Sequence, residues 1–194
     1  MKSNKSIVLI LWFAGAMSIS ATIGPKILSW SKLSSFHLMD KNGKNTSLTS
    51  EKLTVLLLLS PECPLCQNYA PVTAKLQLKY PGVAFYGIIP GAAYTAKEVD
   101  EFSRKYKVNF PVLIDKNHSL TKYIKGTTTP EVLVINRMGA ITYRGLIDNW
   151  AVSLGKKRQV ITENYLDDAL SQLITAKTSS YKETKPVGCL INDL

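Results

Sequence analysis

Two cysteines separated by two residues, Cys63-Pro64-Leu65-Cys66, are the part of this sequence best suited to chemistry. A Cys-x-x-Cys pair can serve zinc, haem attachment, iron–sulfur clusters or thiol–disulfide exchange, and its surroundings separate these uses. The chain holds three cysteines and no second Cys-x-x-Cys, which excludes a four-cysteine zinc site. Position 67 is Gln rather than His, which disfavours haem attachment. The pair stands between an apolar run over residues 53–59 and helix-forming residues over 63–80. A cysteine at such a junction lies beside the unsatisfied N–H groups and positive dipole end of the helix, so its thiolate is favoured over its thiol. Cys63 is therefore the expected nucleophile. Cys66, one turn further in, is the expected resolving thiol that attacks a mixed disulfide on Cys63. A passive staple fits less well, since so short a loop removes little chain entropy.

The elements that must position this pair follow from hydrophobic patterning. Residues 53–59 end in Ser60-Pro61 and read as a strand buried on both faces. Residues 83–89 (VAFYGII) and 110–114 predict two more strands, with an amphipathic helix over 96–106 between them. A short helix is predicted over 119–124, with Ser119 as its cap. Residues 131–135 and 140–144, joined by Arg137-Met138-Gly139, predict a hairpin. Residues 162–174 carry Thr162 as a cap and Leu166, Ala169, Leu170 and Leu173 at the spacing of a helix laid on a sheet. Ahead of these, residues 36–40 and the turn signal Lys41-Asn42-Gly43-Lys44 predict a small N-terminal hairpin. The order describes an α/β fold whose central mixed sheet is flanked by helices.

The first 23 residues read differently. Lys2 and Lys5 precede an apolar stretch over 7–16 and then the small residues of MSISA, the order of a secretory signal peptide. An uncleaved N-terminal membrane anchor is the alternative for the same segment. The expected organisation is a signal peptide or anchor over 1–23, a linker over 24–35, the main domain over 36–177 and a tail over 178–194 bearing Gly188-Cys189. Export implies an oxidising, periplasmic or otherwise extracytoplasmic compartment. Lys and Arg outnumber Asp and Glu by 24 to 14, a formal charge of +10, which reads as a soluble basic surface. The densest basic clusters, Lys156-Lys157-Arg158 and Arg104-Lys105, lack interleaved aromatics, so no nucleic-acid partner is expected.

Taken together, the apolar strand before Ser60-Pro61-Glu62-Cys63-Pro64-Leu65-Cys66, Pro71 downstream, and Thr129-Pro130-Glu131 before a hairpin resemble the thioredoxin-like superfamily. Within it they are most similar to the redoxin branch of exported TlpA-like reductases and peroxiredoxin relatives. Tyr143-Arg144-Gly145-Leu146-Ile147-Asp148-Asn149, Gly155-Lys156-Lys157-Arg158 and Val187-Gly188-Cys189-Leu190-Ile191 resemble a subgroup of exported redoxin-domain proteins with a Gly-Cys tail. The resemblance covers residues 36–191. It implies a thioredoxin-like fold with Cys63 exposed at a helix start and Pro130 in a cis peptide bond beside it. The cis-proline loop would hold an extended substrate segment against the disulfide, with Pro64, Leu65 and Thr129 as substrate contacts and Pro71 kinking the active-site helix. Without that context, Thr129-Pro130 reads as an ordinary trans strand start. The leading function is an exported thiol–disulfide oxidoreductase that needs no cofactor. Its partners would be protein thiols or disulfides, with a membrane electron donor as a further candidate.

The departures from that branch define the alternatives. Many TlpA-like reductases carry an acid three residues after the second cysteine, where this chain has Tyr69. Glu62 and Glu131 are the remaining candidates to move the proton of Cys66, each also readable as a solvated surface carboxylate. Ser60 fits the hydroxyl position upstream of a peroxidatic cysteine, but position 56 is Leu where peroxiredoxins have Pro. Arg144 or Arg137 would have to activate Cys63 for peroxide reduction, though each reads more simply as a surface charge. A third reading is Cu(I) binding by the same thiols, with His118 as a further ligand and His37 without supporting context. Cys189 makes the cysteine count odd and has three readings: a free or intermolecular thiol, a third relay thiol, or a soft metal ligand.

Overall fold

In the computed structural model, which describes residues 26–49, 51–175 and 182–192, the apolar run over 53–59 lies at the centre of the molecule. The chain opens with α1 (Trp30–Ser34) and the short hairpin of β1 (Leu38–Met39) and β2 (Asn45–Thr46). Then come β3 (Thr54–Leu58), α2 (Pro64–Lys79), β4 (Ala84–Pro90), α3 (Ala96–Lys105), β5 (Val112–Asp115) and α4 (Ser119–Ile124). The second half contains β6 (Thr128–Thr129), β7 (Glu131–Ile135), β8 (Ile141–Gly145), β9 (Ala151–Ser153), β10 (Lys156–Lys157) and α5 (Tyr165–Ile174). Two short strands end the described chain, β11 (Lys182–Glu183) and β12 (Cys189–Leu190).

The main sheet has eight strands in the order β11-β8-β7-β3-β4-β5-β1-β2. β3, β4 and β5 run parallel, whereas β7 pairs antiparallel with both β3 and β8. This is the mixed sheet of the thioredoxin-like fold. All of β3 and β7 is buried, because successive side chains serve opposite faces and both faces are covered. Val55, Leu57, Val132 and Val134 face the helices α2, α3 and α5. Leu56, Leu58, Leu133 and Ile135 face α1 and α4.

Several boundaries differ from the sequence reading for local reasons. Residues 27–35, expected as linker, are part of the domain: Leu28 and Leu33 are buried, and Ile27 bridges Ala140 beside β8. The cap of α4 is His118 in a left-handed conformation, not Ser119. The N-cap of α5 is Asn164, because Thr162 is drawn away to Asn149, whose side-chain amide donates to its hydroxyl at 2.7 Å. α2 continues through Pro71 to Lys79. The signal or anchor segment over 1–23 lies outside the described residues. No described helix is long and apolar enough to cross a membrane.

One ion pair ties the sheet to α4. Arg144 on β8 donates through Nε to Glu131 Oε1 at 2.6 Å and through Nη1 and Nη2 to the carbonyls of Ile124 and Lys125. Glu131 is 1% exposed, and its Oε2 has no hydrogen-bond partner among the described residues. Removing the guanidinium leaves a buried carboxylate without its counter-charge. Arg144→Leu should therefore lower the unfolding free energy by about 3–5 kcal/mol in urea titration. A loss under about 1 kcal/mol, the range of a solvent-screened pair, would show that Glu131 does not depend on Arg144.

Candidate active site

β3 carries the chain to Ser60, and a turn over residues 60–63 starts α2, with the Cys63 N–H donating to the Ser60 carbonyl at 3.1 Å. Cys63 is the N-cap of α2, with extended backbone angles, and Pro64 occupies the first turn, where a missing N–H costs nothing. The side chain of Gln67 donates to the Pro61 carbonyl at 2.8 Å and secures the turn from the helix side. Cys66 is fully buried in the first turn and accepts a hydrogen bond from the Ser60 N–H at 3.4 Å.

From the other side, β6 reaches the cysteines immediately before β7. The Thr129–Pro130 peptide bond is cis. The Cys63 Sγ lies 3.3 Å from the Thr129 carbonyl oxygen. The third cysteine completes the cluster: Cys189 on β12 brings its Sγ to 2.8 Å from that of Cys63. All three cysteines are thiols rather than disulfides here.

Their acidities diverge. The Cys63 thiol is brought down to about 5, chiefly by hydrogen bonding from Cys66, and further by Cys189 and the N–H groups of Cys66 and Leu65. Burial opposes this shift without reversing it. Cys66 is pushed well above an ordinary thiol, first by burial and then by its hydrogen bond to Cys63 and the charge there. Cys189 is pushed up to about 11, by burial and then by Cys63. The helix start contributes to the Cys63 thiolate as the sequence implies, but the neighbouring thiol contributes more.

The other candidates fall at varied distances from this centre. Glu62 is exposed at the mouth of the turn, and Glu131 is buried and engaged by Arg144. Pro64 is exposed, Thr129 is buried against Cys63, and Leu65 packs into the core beneath α2. Arg144, read from sequence as a candidate activator or a surface charge, is neither: its guanidinium is occupied by Glu131 and two carbonyls. Arg137 lies exposed in the turn between β7 and β8. His118 lines a cleft of about 230 Å³ together with Ser60, Thr129 and Cys189. Two sulfurs 2.8 Å apart leave no room for an ion between them, since zinc–thiolate bonds alone run about 2.3 Å. Among the described residues no group of three or more His, Cys, Asp or Glu is arranged to hold a metal ion.

Two features beside the cysteines escaped the sequence reading. Tyr69, at the place of the missing acid, donates to Asp148 Oδ1 at 2.6 Å, so a carboxylate reaches this side of α2 from a distant loop. Burial and that carboxylate hold the Tyr69 hydroxyl well above the usual phenol range. The second feature is the pairing of β12 with β6, in which Cys189 faces Thr129 and Leu190 faces Thr128. Its only sequence signal is Gly188: a Cβ there would meet the Thr129 carbonyl oxygen at 2.1 Å, so the backbone can approach only without a side chain.

Comparison with known proteins agrees with this architecture. The family model described as Redoxin matches residues 28–153. No curated protein matches the chain in sequence. Among solved structures, an uncharacterized conserved protein from Geobacillus kaustophilus superimposes with a TM-score of 0.70 at 22% identity, covering 80% of this chain and 87% of that one. A hypothetical protein from Sinorhizobium meliloti 1021 gives a TM-score of 0.71 at 21% identity, covering 86% and 96%. A secreted Mycobacterium tuberculosis disulfide oxidoreductase, homologous to E. coli DsbE, gives 0.54 at 22% identity, covering 76% and 99%. At these identities the structures share the fold alone. The family match, spanning most of the sheet and the Cys63–Cys66 pair, makes this chain a member of the redoxin family.

Proposed function

We infer that this redoxin is an exported thiol–disulfide oxidoreductase that exchanges electrons with protein partners through Cys63 and Cys66. The observation that carries the reading is the inequality of the two thiols at the start of α2. Cys63, at about 5, is a thiolate at neutral pH, while Cys66, buried behind it, keeps its proton. A thiolate is the attacking species in disulfide exchange, and a protonated neighbour waits without competing. In the cycle, the Cys63 sulfur attacks one sulfur of a partner disulfide and the other partner sulfur leaves as a thiolate. Cys66 then loses its proton and attacks Cys63, the mixed disulfide breaks, and the partner leaves with both its cysteines reduced. The protein is left with a Cys63–Cys66 disulfide, and the reverse sequence oxidises a dithiol partner.

Thr129 and Pro130 would orient the partner segment beside Cys63, with Pro64 as an exposed contact. Leu65 would contribute through its backbone, since its side chain faces the core. Glu62 or Glu131 would relay the proton of Cys66. The secretory pattern of residues 1–23 supports export, as does the fold shared with a secreted oxidoreductase. The partners would then be extracytoplasmic protein thiols or disulfides, with a membrane electron donor that re-reduces the Cys63–Cys66 disulfide as a further candidate.

Insulin reduction by the purified protein tests the reading. Cys63→Ser should abolish exchange, and Cys66→Ser should accumulate a mixed disulfide on Cys63. Full exchange by Cys63→Ser would remove the proposal. The pH dependence follows from the raised acidity of the Cys63 thiol. Thiolate absorbance of the reduced protein should titrate with a midpoint near pH 5 and vanish from that range in Cys63→Ser. A first midpoint near the ordinary thiol value of about 8.5 would contradict it. Because the folded value lies below the unfolded one, the ionised Cys63 stabilises the reduced fold most fully above the unfolded value. That contribution shrinks as pH falls and is gone below about 5.

A further inference from the structure

The C-terminal segment lies where a partner would have to bind. β12 adds to β6 as an antiparallel strand, and beyond it the Ile191 N–H donates to the Thr127 carbonyl at 2.9 Å. Extended peptides dock on sheet edges through the same main-chain bonds, largely without regard to sequence. The segment is also held from behind. The Thr184 N–H donates to the Arg144 carbonyl at 2.9 Å, and the Thr184 hydroxyl accepts from the Leu146 N–H at 2.8 Å. Gly145, with φ +128°, makes room there, since a Cβ would meet the Thr184 carbonyl oxygen at 2.2 Å. Under this strand Cys63 is only 3% exposed.

We propose that residues 187–191 form an internal substrate strand: they occupy the partner's place beside Thr128 and Thr129 and present Cys189 to Cys63 as a partner presents its own cysteine. This rests on the oxidoreductase reading of Cys63 and Cys66. The chemical step is an exchange with no net oxidation. In the oxidised protein the Cys189 sulfur attacks the Cys63 sulfur, the Cys63–Cys66 bond breaks and a Cys63–Cys189 bond forms. The bonding electron pair leaves on Cys66, which ends with a proton in place of the one that Cys189 gives up. The present sulfur separation of 2.8 Å is less than about 1 Å beyond the 2.05 Å of a disulfide. The reverse attack by Cys66 returns the strand to its thiol form, as it would release a real partner.

The same geometry makes the strand a gate. It pairs over only two residues, the outward Leu190 is 76% exposed, and Val187, Cys189 and Ile191 are only partly buried against the core, so main-chain hydrogen bonds hold it with limited apolar burial. A partner strand offering equivalent hydrogen bonds can replace it at little net cost. Access to Cys63 then depends on how often the strand lifts away.

Two readouts on the full chain test this. First, the protein is oxidised with glutathione disulfide, quenched in acid, alkylated and digested without reduction. Peptide mapping should find a Cys63–Cys189 linkage beside the Cys63–Cys66 linkage, and Cys189→Ser should show the latter alone. Oxidised protein holding only the Cys63–Cys66 linkage, with every Cys189 alkylated, overturns the internal exchange. Second, the reduced protein is treated with iodoacetamide. Gly188→Val, which drives the strand off Thr129 without shortening the chain, should alkylate Cys63 at least about tenfold faster, as expected when a closed state dominates an open one by that ratio. Deleting residues 187–194 should do the same. Unchanged rates in both variants, each folded by circular dichroism, overturn the gate. Insulin reduction separates these failures from that of the parent reading, which falls only if Cys63→Ser retains exchange.

Discussion

A thiolate at position 63 has to be stabilised inside a protein that buries it, and the surrounding structure is organised around that requirement. Burial alone would make the Cys63 thiol a weaker acid, yet it is brought down to about 5. The difference comes from donors that converge on one sulfur: the Cys66 thiol, the Cys189 thiol and two helix N–H groups. Two elements deliver them: α2 carries the Cys66 thiol and both N–H groups, and β12 carries Cys189. β3 and the turn at Ser60 fix the start of α2, α2 supplies Cys66, and β6 carries the edge on which β12 sets Cys189. The raised values at Cys66 and Cys189 are the other side of the same hydrogen bonds, since a thiol that donates to a thiolate holds its proton more tightly.

The sequence was informative wherever a local pattern determined the outcome. The run over 53–59 reads as a doubly buried strand, and the Cys-x-x-Cys after it stands at the helix start that the pattern predicts. The Asn42-Gly43 turn is an equally local signal. The reading failed where distant residues decide. Arg144 looked like a surface charge because nothing nearby in the chain shows that its β8 position faces Glu131 across the sheet. Thr162 looked like a cap because its competing partner, Asn149, lies on another loop. Residues 27–35 looked like linker because two buried leucines in a polar setting carry no periodicity.

The tail is the clearest case of information held by the fold alone. Gly188 and Cys189 stand out in sequence, but as an odd thiol with several uses. Only the pairing of β12 with β6 brings Cys189 to Cys63 and covers it. The steric argument at Gly188 and Gly145 shows that close backbone approach is built into both ends of this segment.

The account stands on the stabilisation of Cys63 as a thiolate, which favours the reduced state of the Cys63–Cys66 couple. Its reduction potential, measured by equilibration of the purified protein in glutathione buffers, reads that stabilisation directly. The account predicts a couple more oxidising than the roughly −270 mV of thioredoxin, whose nucleophilic thiol titrates near 7. A potential at or below about −270 mV would contradict it.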